Sequence, residues 1–375
     1  MNRSLDNILQ LGVKELYSLK NDFVMVFLIL YTFTFAIYTV ANGVKTEVRN
    51  ASVGIVDEDR SNLSRTFAAA ILKPYFKAPE MISLADIDAA MDSSRFSFVI
   101  DIPPRFEADI LAGRIPTLQI SVDATAMTLA GNGTGYIQSI VAKELNAFLG
   151  RDPQTTQAPV ELQIRARFNP NLESSWFTAI MQIINNVTML SMILAGAAVI
   201  REREHGTIEH LLVMPVTPIE IMLAKVWANG VVILIAVLIS LAVVVQGIIG
   251  TKISGSYILF AFGTSLFLFA MTSLGITLAT IARSMPQFGL LAIPFFVVMN
   301  MLSGGVTPLE AMPTWLRAIM TAAPSTHYTA FSQAVLLRGA SLSIVWPQLV
   351  AITAIGAVLL GYALLRFRAS MAAVR

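Results

Sequence analysis

Six long apolar stretches dominate the pattern of hydrophobic and polar positions along this chain. A bilayer core is about 30 Å thick, and a helix needs about 20 apolar residues to cross it. Stretches near that length occupy residues 23–42, 176–200, 222–249, 257–282, 288–303 and 348–365. The pattern therefore predicts six transmembrane helices. The fifth stretch is short and contains Pro294, so we expect a kinked or broken helix packed inside the protein.

The segment between the fifth and sixth stretches is only moderately apolar. It carries charged or titratable side chains at Glu310, Arg317, His327 and Arg338. Such groups are costly in hydrocarbon. We therefore expect short interfacial or re-entrant helices over residues 308–339, not a seventh span.

Residues 43–175 follow a different pattern, with short strand-like runs alternating with helical periodicity. Strands are predicted at 52–57, 96–102, 117–122 and 160–168, and helices at 62–72, 83–91, 103–112 and 127–148. This alternation predicts an α/β domain large enough to have its own core. Gly131–Gly135 is interpreted as a flexible turn or helix break. The carboxylates of Asp57, Glu58, Asp59 and Asp101 are interpreted as turn and helix-cap groups instead of ligands.

The first 22 residues predict an amphipathic helix at the inner membrane interface. Leu5, Ile8, Leu9, Gly12, Val13 and Leu16 recur at helical spacing, while Asp6, Asn7, Gln10, Lys14 and Glu15 lie off that stripe. Whether this helix is only an anchor or also a docking platform is left open by the pattern.

Composition agrees with an integral membrane protein. The chain is 55% hydrophobic and only 13% charged, with mean hydropathy +0.68. A net charge of +2 gives no reason to expect a nucleic-acid partner. The chain has no cysteine, and its three histidines are too scattered for a persuasive metal site.

Lysine and arginine placement predicts the orientation. With the N-terminus inside, the short inner segments carry more basic residues than the short outer loops. The inner ones are Arg3, Lys14, Lys20, Arg201, Arg203, Lys225, Arg283, Arg366, Arg368 and Arg375. Six spans then place both termini in the cytoplasm and residues 43–175 outside.

A dense charged run, Arg201–Glu204, directly follows the second apolar stretch and must lie at a membrane face. The second helix is expected to reach His205, with Gly206 ending it in the left-handed conformation. Thr207 can cap a short helix that Pro215 stops. Thr217–Glu220 then predicts a capping box with Pro218 at the first helical position. Such a short helix, bounded by a turn at each end, would be a rigid lever between two spans.

Polar groups within the spans mark a candidate pathway. They are Gln182, Asn185, Asn186 and Asn300. Asn185 and Asn186 point about 100° apart on a helix, so one could line a pathway while the other bonds a neighbouring helix; bonding between helices is the commoner role. The predicted spans carry no central Asp, Glu, Lys or Arg, which argues against an ion-coupled carrier.

Four motifs together resemble type-2 ABC exporter permeases. They are REREHGTIEHLLVMPVTP at 201–218, FNP at 168–170, IARSMPQ at 281–287 and MLSGGVTP at 301–308. The resemblance covers essentially the whole chain, from one span through a large inserted domain to five further spans. Leu302–Gly305 also resembles the start of the ABC ATPase signature, but it ends an apolar span and is interpreted as a turn.

The resemblance implies the permease half of an ATP-driven exporter in a bacterial inner membrane. It implies an ABC ATPase partner, a second permease chain, identical or different, and often a periplasmic adaptor protein. No GxxxxGK[ST] motif occurs in the chain, so ATP and magnesium are expected in the partner and no cofactor in this chain. The residues implied to form the ATPase-coupling helix are Glu202, Glu204, His205, Gly206, Thr207, Glu209 and His210.

The expected cargo is an amphipathic or lipophilic, drug-like small molecule, because the predicted pathway is apolar with few fixed charges. Two other classes stay open at this point. A membrane sensor could bind a ligand in the outer domain, although cytoplasmic stretches of about 20 residues leave little room for signalling. An intramembrane hydrolase or a scaffold has less support, since acid pairs and thiols are missing from the spans.

Overall fold

The computed structural model describes residues 2–43, 50–72, 75–93, 95–123, 127–150, 173–204, 206 and 215–372. The chain divides into two compact units. The first comprises Met1–Val44 and Arg167–Arg375, and the second is Lys45–Ala166. Each unit has its own buried apolar cluster.

The first unit is helical, and six of its described helices are long and apolar enough to span a membrane. Helix α1, Asn2–Asn21, precedes them. The six spans are α2 (Phe23–Gly43), α7 (Ser174–Glu204), α8 (Pro218–Ile248), α9 (Tyr257–Ile281), α10 (Met285–Leu302) and α13 (Leu342–Ala372). The predicted number of spans is confirmed. Helix α7 extends four residues beyond the predicted apolar stretch and so includes the charged run.

Helices α7 and α9 form the centre of this unit. In their most apolar windows, 78% of α7 and 61% of α9 is buried, against 17% of α10. Close packing rests on small residues, since a Cβ added to Gly275 would lie 2.3 Å from the Met192 carbonyl oxygen of α7. The fifth helix was expected to be kinked or broken and packed inside the protein; it is not broken, and within this chain it is not packed inside. Helix α10 runs unbroken through Pro294 and turns large apolar side chains such as Leu290 and Ile293 outward.

Two short helices, α11 (Thr314–Thr321) and α12 (Pro324–Leu336), fill the segment before the last span. Both are too short to cross a bilayer, as predicted. Helix α12 is nonetheless buried among the spans. Its Tyr328 stacks on Phe267 with ring centroids 3.9 Å apart and shares a hydrogen bond of 3.0 Å with Thr264.

The second unit contains a four-stranded sheet of order β2-β1-β3-β4. The strands are β1 (Val53–Asp57), β2 (Glu80–Met81), β3 (Phe98–Ile102) and β4 (Gln119–Val122). Strand β1 pairs in parallel with β2 and β3, and β4 is antiparallel to β3. The helices are α3 (Asn62–Ala70), α4 (Ile87–Asp92), α5 (Phe106–Leu111) and α6 (Met127–Phe148). The predicted strand at 160–168 lies outside the described residues.

The glycine-rich run at 131–135 is not a turn or a helix break, because α6 continues through it. The packing gives the reason. A Cβ on Gly133 would lie 2.2 Å from the ring of Phe98 in β3, so a residue without a side chain is needed there. The glycine therefore serves helix-to-sheet contact.

Asp57 and Asp59 are turn and cap groups, as predicted, but the same prediction is wrong for Asp101, which lies within β3 and pairs through its backbone with β1 and β4. The Arg60 amide donates to the Asp57 carboxylate over 2.8 Å, and the Glu107 amide at the start of α5 donates to Asp59 over 3.0 Å. Glu107 in turn accepts from the Leu63 amide over 2.9 Å. Among the described residues, no three acidic or histidine side chains cluster to hold a metal.

The contact between α7 and α9 yields a stability prediction. Gly275→Val should lower the melting temperature of the purified protein in detergent, because the added branches meet the Met192 carbonyl; overpacking of this kind costs about 1–3 kcal/mol. Gly361→Val is the matched control, since a Cβ there meets open space. Equal melting temperatures for the two variants would contradict the close backbone contact.

Candidate functional site

The charged run forms the last turn of α7, and we call Arg201–Glu204 the charged turn. Gly206 follows it with φ +69°, and its amide donates to the Arg203 carbonyl over 3.2 Å. The predicted left-handed conformation of Gly206 at the end of this helix is thus confirmed. Successive side chains on a helix diverge by about 100°, so the four charges point around most of its circumference.

The two arginines bind two different neighbours. Arg201 Nη1 lies 2.5 Å from Asp22 Oδ2, at the junction of α1 and α2. Partial burial acts to raise the pKa of Asp22, but the Met25 amide and the Arg201 guanidinium lower it below its ordinary value. Arg203 Nη1 donates to the Ala282 carbonyl over 2.7 Å, which places a cation at the carbonyl end of α9.

Glu204 binds the start of the fifth span. Its Oε1 accepts from the Met285 amide over 3.0 Å, at the first residue of α10. A carboxylate at a helix N-terminus is favourable, because the first amides lack partners within the helix. Arg203 and Glu204 thus hold the short connection between α9 and α10. That connection belongs to the 281–287 motif, so the structure brings two of the four family-like motifs together.

Glu202 takes part in a buried ion triad with Lys225 of α8 and Glu15 of α1. Lys225 Nζ lies 2.8 Å from an oxygen of each carboxylate, and its side chain is 2% exposed while each carboxylate is 15% exposed. Burial acts to raise the pKa of Glu15, but the Lys225 ammonium outweighs it and lowers that pKa below its ordinary value. The triad joins three helices at one point.

Helix α1 packs along the beginning of α8. The Trp227 indole donates to the Ile8 carbonyl over 3.1 Å, and a Cβ on Gly12 would lie 2.2 Å from the same ring. Asn7 donates to Glu220 over 3.4 Å. Glu220 also completes the predicted capping box with Thr217. Gly12 therefore allows the indole to lie directly against the helix.

The predicted apolar stripe of α1 divides into two sides. The Ile8 carbonyl and Gly12 contact Trp227 of α8, whereas Leu5, Leu9 and Val13 are exposed. Two polar residues placed off the stripe, Asn7 and Glu15, make contacts within the chain. The helix therefore has a packed side, an exposed apolar side and a polar side.

The structure describes three of the seven predicted coupling residues. Glu202 and Glu204 contact other parts of this chain, and Gly206 ends the helix. The other four lie outside the described residues, as does the predicted short helix from Thr207; they are His205, Thr207, Glu209 and His210. Their contact with an ATPase stays a prediction.

The predicted pathway residues differ in their surroundings. Gln182 donates to Asn186 over 3.0 Å, and buried Asn186 donates to the Thr32 carbonyl of α2 over 2.6 Å. Asn186 thus bonds a neighbouring helix, the commoner of its two predicted roles. Asn185 and Asn300 are partly buried, and whether they line a pathway stays a prediction.

The Asn186 contact lies where α2 changes its winding. Residues Thr32–Ala36 form a π-helical turn, and Ser240 of α8 donates to the next carbonyl, Phe33, over 2.6 Å. Two neighbouring spans thus donate to consecutive carbonyls of this turn, as a polar backbone in lipid requires.

Sequence reasoning missed Glu15, Asp22 and Lys225 as parts of the site. Lys225 entered only as one more basic residue on the inner side, although a lone lysine within the third apolar stretch is the signal that could have singled it out. No spacing rule pairs it with Glu15, 210 residues away.

Comparison with known proteins gives relatives along nearly the whole chain. The inner membrane transport permease YhhJ of Escherichia coli (strain K12) is 49% identical over 366 residues, 98% of each chain. The probable multidrug ABC transporter permeases YbhR and YbhS of the same organism are 29% and 26% identical. The first match covers 81% of this chain and 82% of the relative, the second 79% of each. The model of the family described as "ABC-2 family transporter protein" matches residues 23–365. The chain therefore belongs to the ABC-2 family of transporter proteins.

Proposed function

We propose that this chain is the membrane-spanning permease subunit of an ATP-driven exporter in a bacterial inner membrane, with ATP hydrolysed by a separate ATPase subunit. The observation that carries the proposal is the charged turn. Its four side chains contact α8, α9, α10 and the α1–α2 junction, so a force applied just beyond Glu204 would reach most of the bundle. The chain itself is a permease and not an enzyme.

The coupling loop, residues 201–220, is the proposed docking site for the ATPase. Glu202 and Glu204 are engaged within the chain, so direct contact falls on His205, Thr207, Glu209 and His210. A second permease chain, identical or different, completes the complex, and a periplasmic adaptor would extend the path. The sensor alternative loses support, because the relatives are named as permeases.

The proposed cargo is an amphipathic or lipophilic small molecule. Two relatives are named as probable multidrug permeases. Up to Ile200, the second span is mostly apolar, and its polar groups such as Gln182 and Asn185 are uncharged. Such a surface suits molecules that partition into the bilayer better than small hydrophilic ions.

The docking site can be tested without knowing the cargo. Tagged permease purified in mild detergent should carry ATPase activity, and Glu209→Ala with His210→Ala should reduce that activity at least about tenfold, which corresponds to about 1.4 kcal/mol of binding. Glu310→Ala with Arg317→Ala is the matched control, because these charges lie on the predicted outer side. Equal loss in both double variants would contradict docking at the coupling loop.

The proposed orientation places both termini in the cytoplasm and the inserted domain outside. The natural chain has no cysteine, so single cysteines can be labelled without background. On intact spheroplasts, a membrane-impermeant maleimide should label Ile115→Cys, whose natural side chain is 97% exposed in the inserted domain, but not Ser18→Cys. Labelling of Ser18→Cys without permeabilisation would invert the proposed topology.

The ending of α7 provides a test of transmission. Gly206→Pro should leave the ATPase bound but lower ethidium transport per ATP at least about tenfold in proteoliposomes, because proline is fixed near φ −65° and lacks the amide that binds Arg203. Gly206→Asn, which tolerates positive φ, is the control. Undiminished transport by the proline variant would contradict a rigid lever. A wild-type complex that moves small ions and not ethidium would contradict the proposed cargo class.

A further inference from the structure

Lys225 is a charged group of the site to which the proposed ATPase docking assigns no role. It lies about two turns into α8, and its side chain is 2% exposed. Burying an ammonium is costly unless it is paired and hydrogen-bonded. Here one carboxylate comes from α1 and the other from the charged turn of α7. Without the lysine, two buried carboxylates would face each other.

The other contacts of α1 are of two kinds. Trp227 and Glu220 bind it to α8, and Arg201 holds Asp22 at its end. A helix held to α7 at its end alone could swing about that point. Glu15 lies about two turns earlier along α1 and provides a second attachment to α7 through Lys225.

We propose that Lys225 is a positioning residue: it fixes α1 to the charged turn, so that α1, the charged turn and the start of α8 move as one unit. This deepens the proposed function, because a push on the coupling loop would then reach α1 and the third span at once. The attachment itself does not depend on an ATPase, and the two statements can be tested separately.

The first test measures the attachment in the permease alone. In nanodiscs, a polar maleimide should label Ser18→Cys quickly and its neighbour Leu19→Cys slowly, since Ser18 is exposed and Leu19 is buried. Adding Lys225→Met should speed labelling of Leu19→Cys at least about tenfold and leave Ser18→Cys unchanged, because the buried ammonium that attaches α1 to the charged turn is then missing. Slow labelling of Leu19→Cys in the Lys225→Met background would overturn the proposal.

A charge-balanced variant distinguishes loss of the ion triad from the effect of leaving two buried carboxylates unpaired. Combining Lys225→Met with Glu15→Gln and Glu202→Gln leaves no unpaired charge in nearly the same volume, which is well tolerated in buried triads. Labelling of Leu19→Cys should stay fast in this background, because the ion pairs that attach α1 to the charged turn are still missing. Slow labelling there would overturn the proposal, because the release in Lys225→Met would then follow from unpaired carboxylates and not from the lost attachment.

The second test follows α1 through the ATP cycle. In the wild-type complex, Leu19→Cys should stay slow to label both without nucleotide and after trapping with ATP and vanadate, because α1 remains attached. At least about tenfold faster labelling on trapping would overturn the claim that the three elements move together. If no ATPase co-purifies with the wild-type permease, the proposed function fails, and the first test still decides the role of Lys225.

Discussion

The burial of one ammonium group constrains how three helices of this permease meet. A charge removed from water must be paired, and Lys225 meets this requirement with two carboxylates at 2.8 Å. One partner, Glu15, lies on a helix that precedes the spans, and the other, Glu202, ends the second span. Helix α1 is therefore tied to the bundle by electrostatics as well as by its apolar side, and it cannot be treated as a separate membrane anchor.

Buried polar groups of the backbone, deeper in the bundle, likewise need partners. The π-helical turn Thr32–Ala36 interrupts the regular hydrogen bonds of α2, which lipid cannot replace. Asn186 and Ser240 donate to its first two carbonyls from α7 and α8. The first, second and third spans are thus joined twice, once at the charged turn and once at the π-helical turn. Both joints use α7, the most buried of the six spans.

Local signals in the sequence predicted the features that local chemistry determines. The lengths of the apolar stretches predicted the six spans. Gly206 and Thr217–Glu220 predicted a helix end and a helix start that the structure confirms. Pairing between distant segments could not be predicted this way, because no spacing rule links Glu15 to Lys225 across 210 positions. The prediction of a turn at the glycine run in α6 was wrong for a related reason. A glycine is needed at position 133 because of its contact with Phe98, and this contact exists only in the folded chain.

The geometry of the charged turn limits which of its residues could contact the proposed ATPase. Four consecutive helical residues point in directions about 100° apart, so they cannot all face one partner. Within this chain each already has a neighbour: Asp22, Lys225, the Ala282 carbonyl and the Met285 amide. The charged turn is therefore better suited to distributing a force among the spans than to receiving it. In the proposed docking, contact with the ATPase then falls on the segment beyond Gly206, and the charged turn passes the force on to the spans.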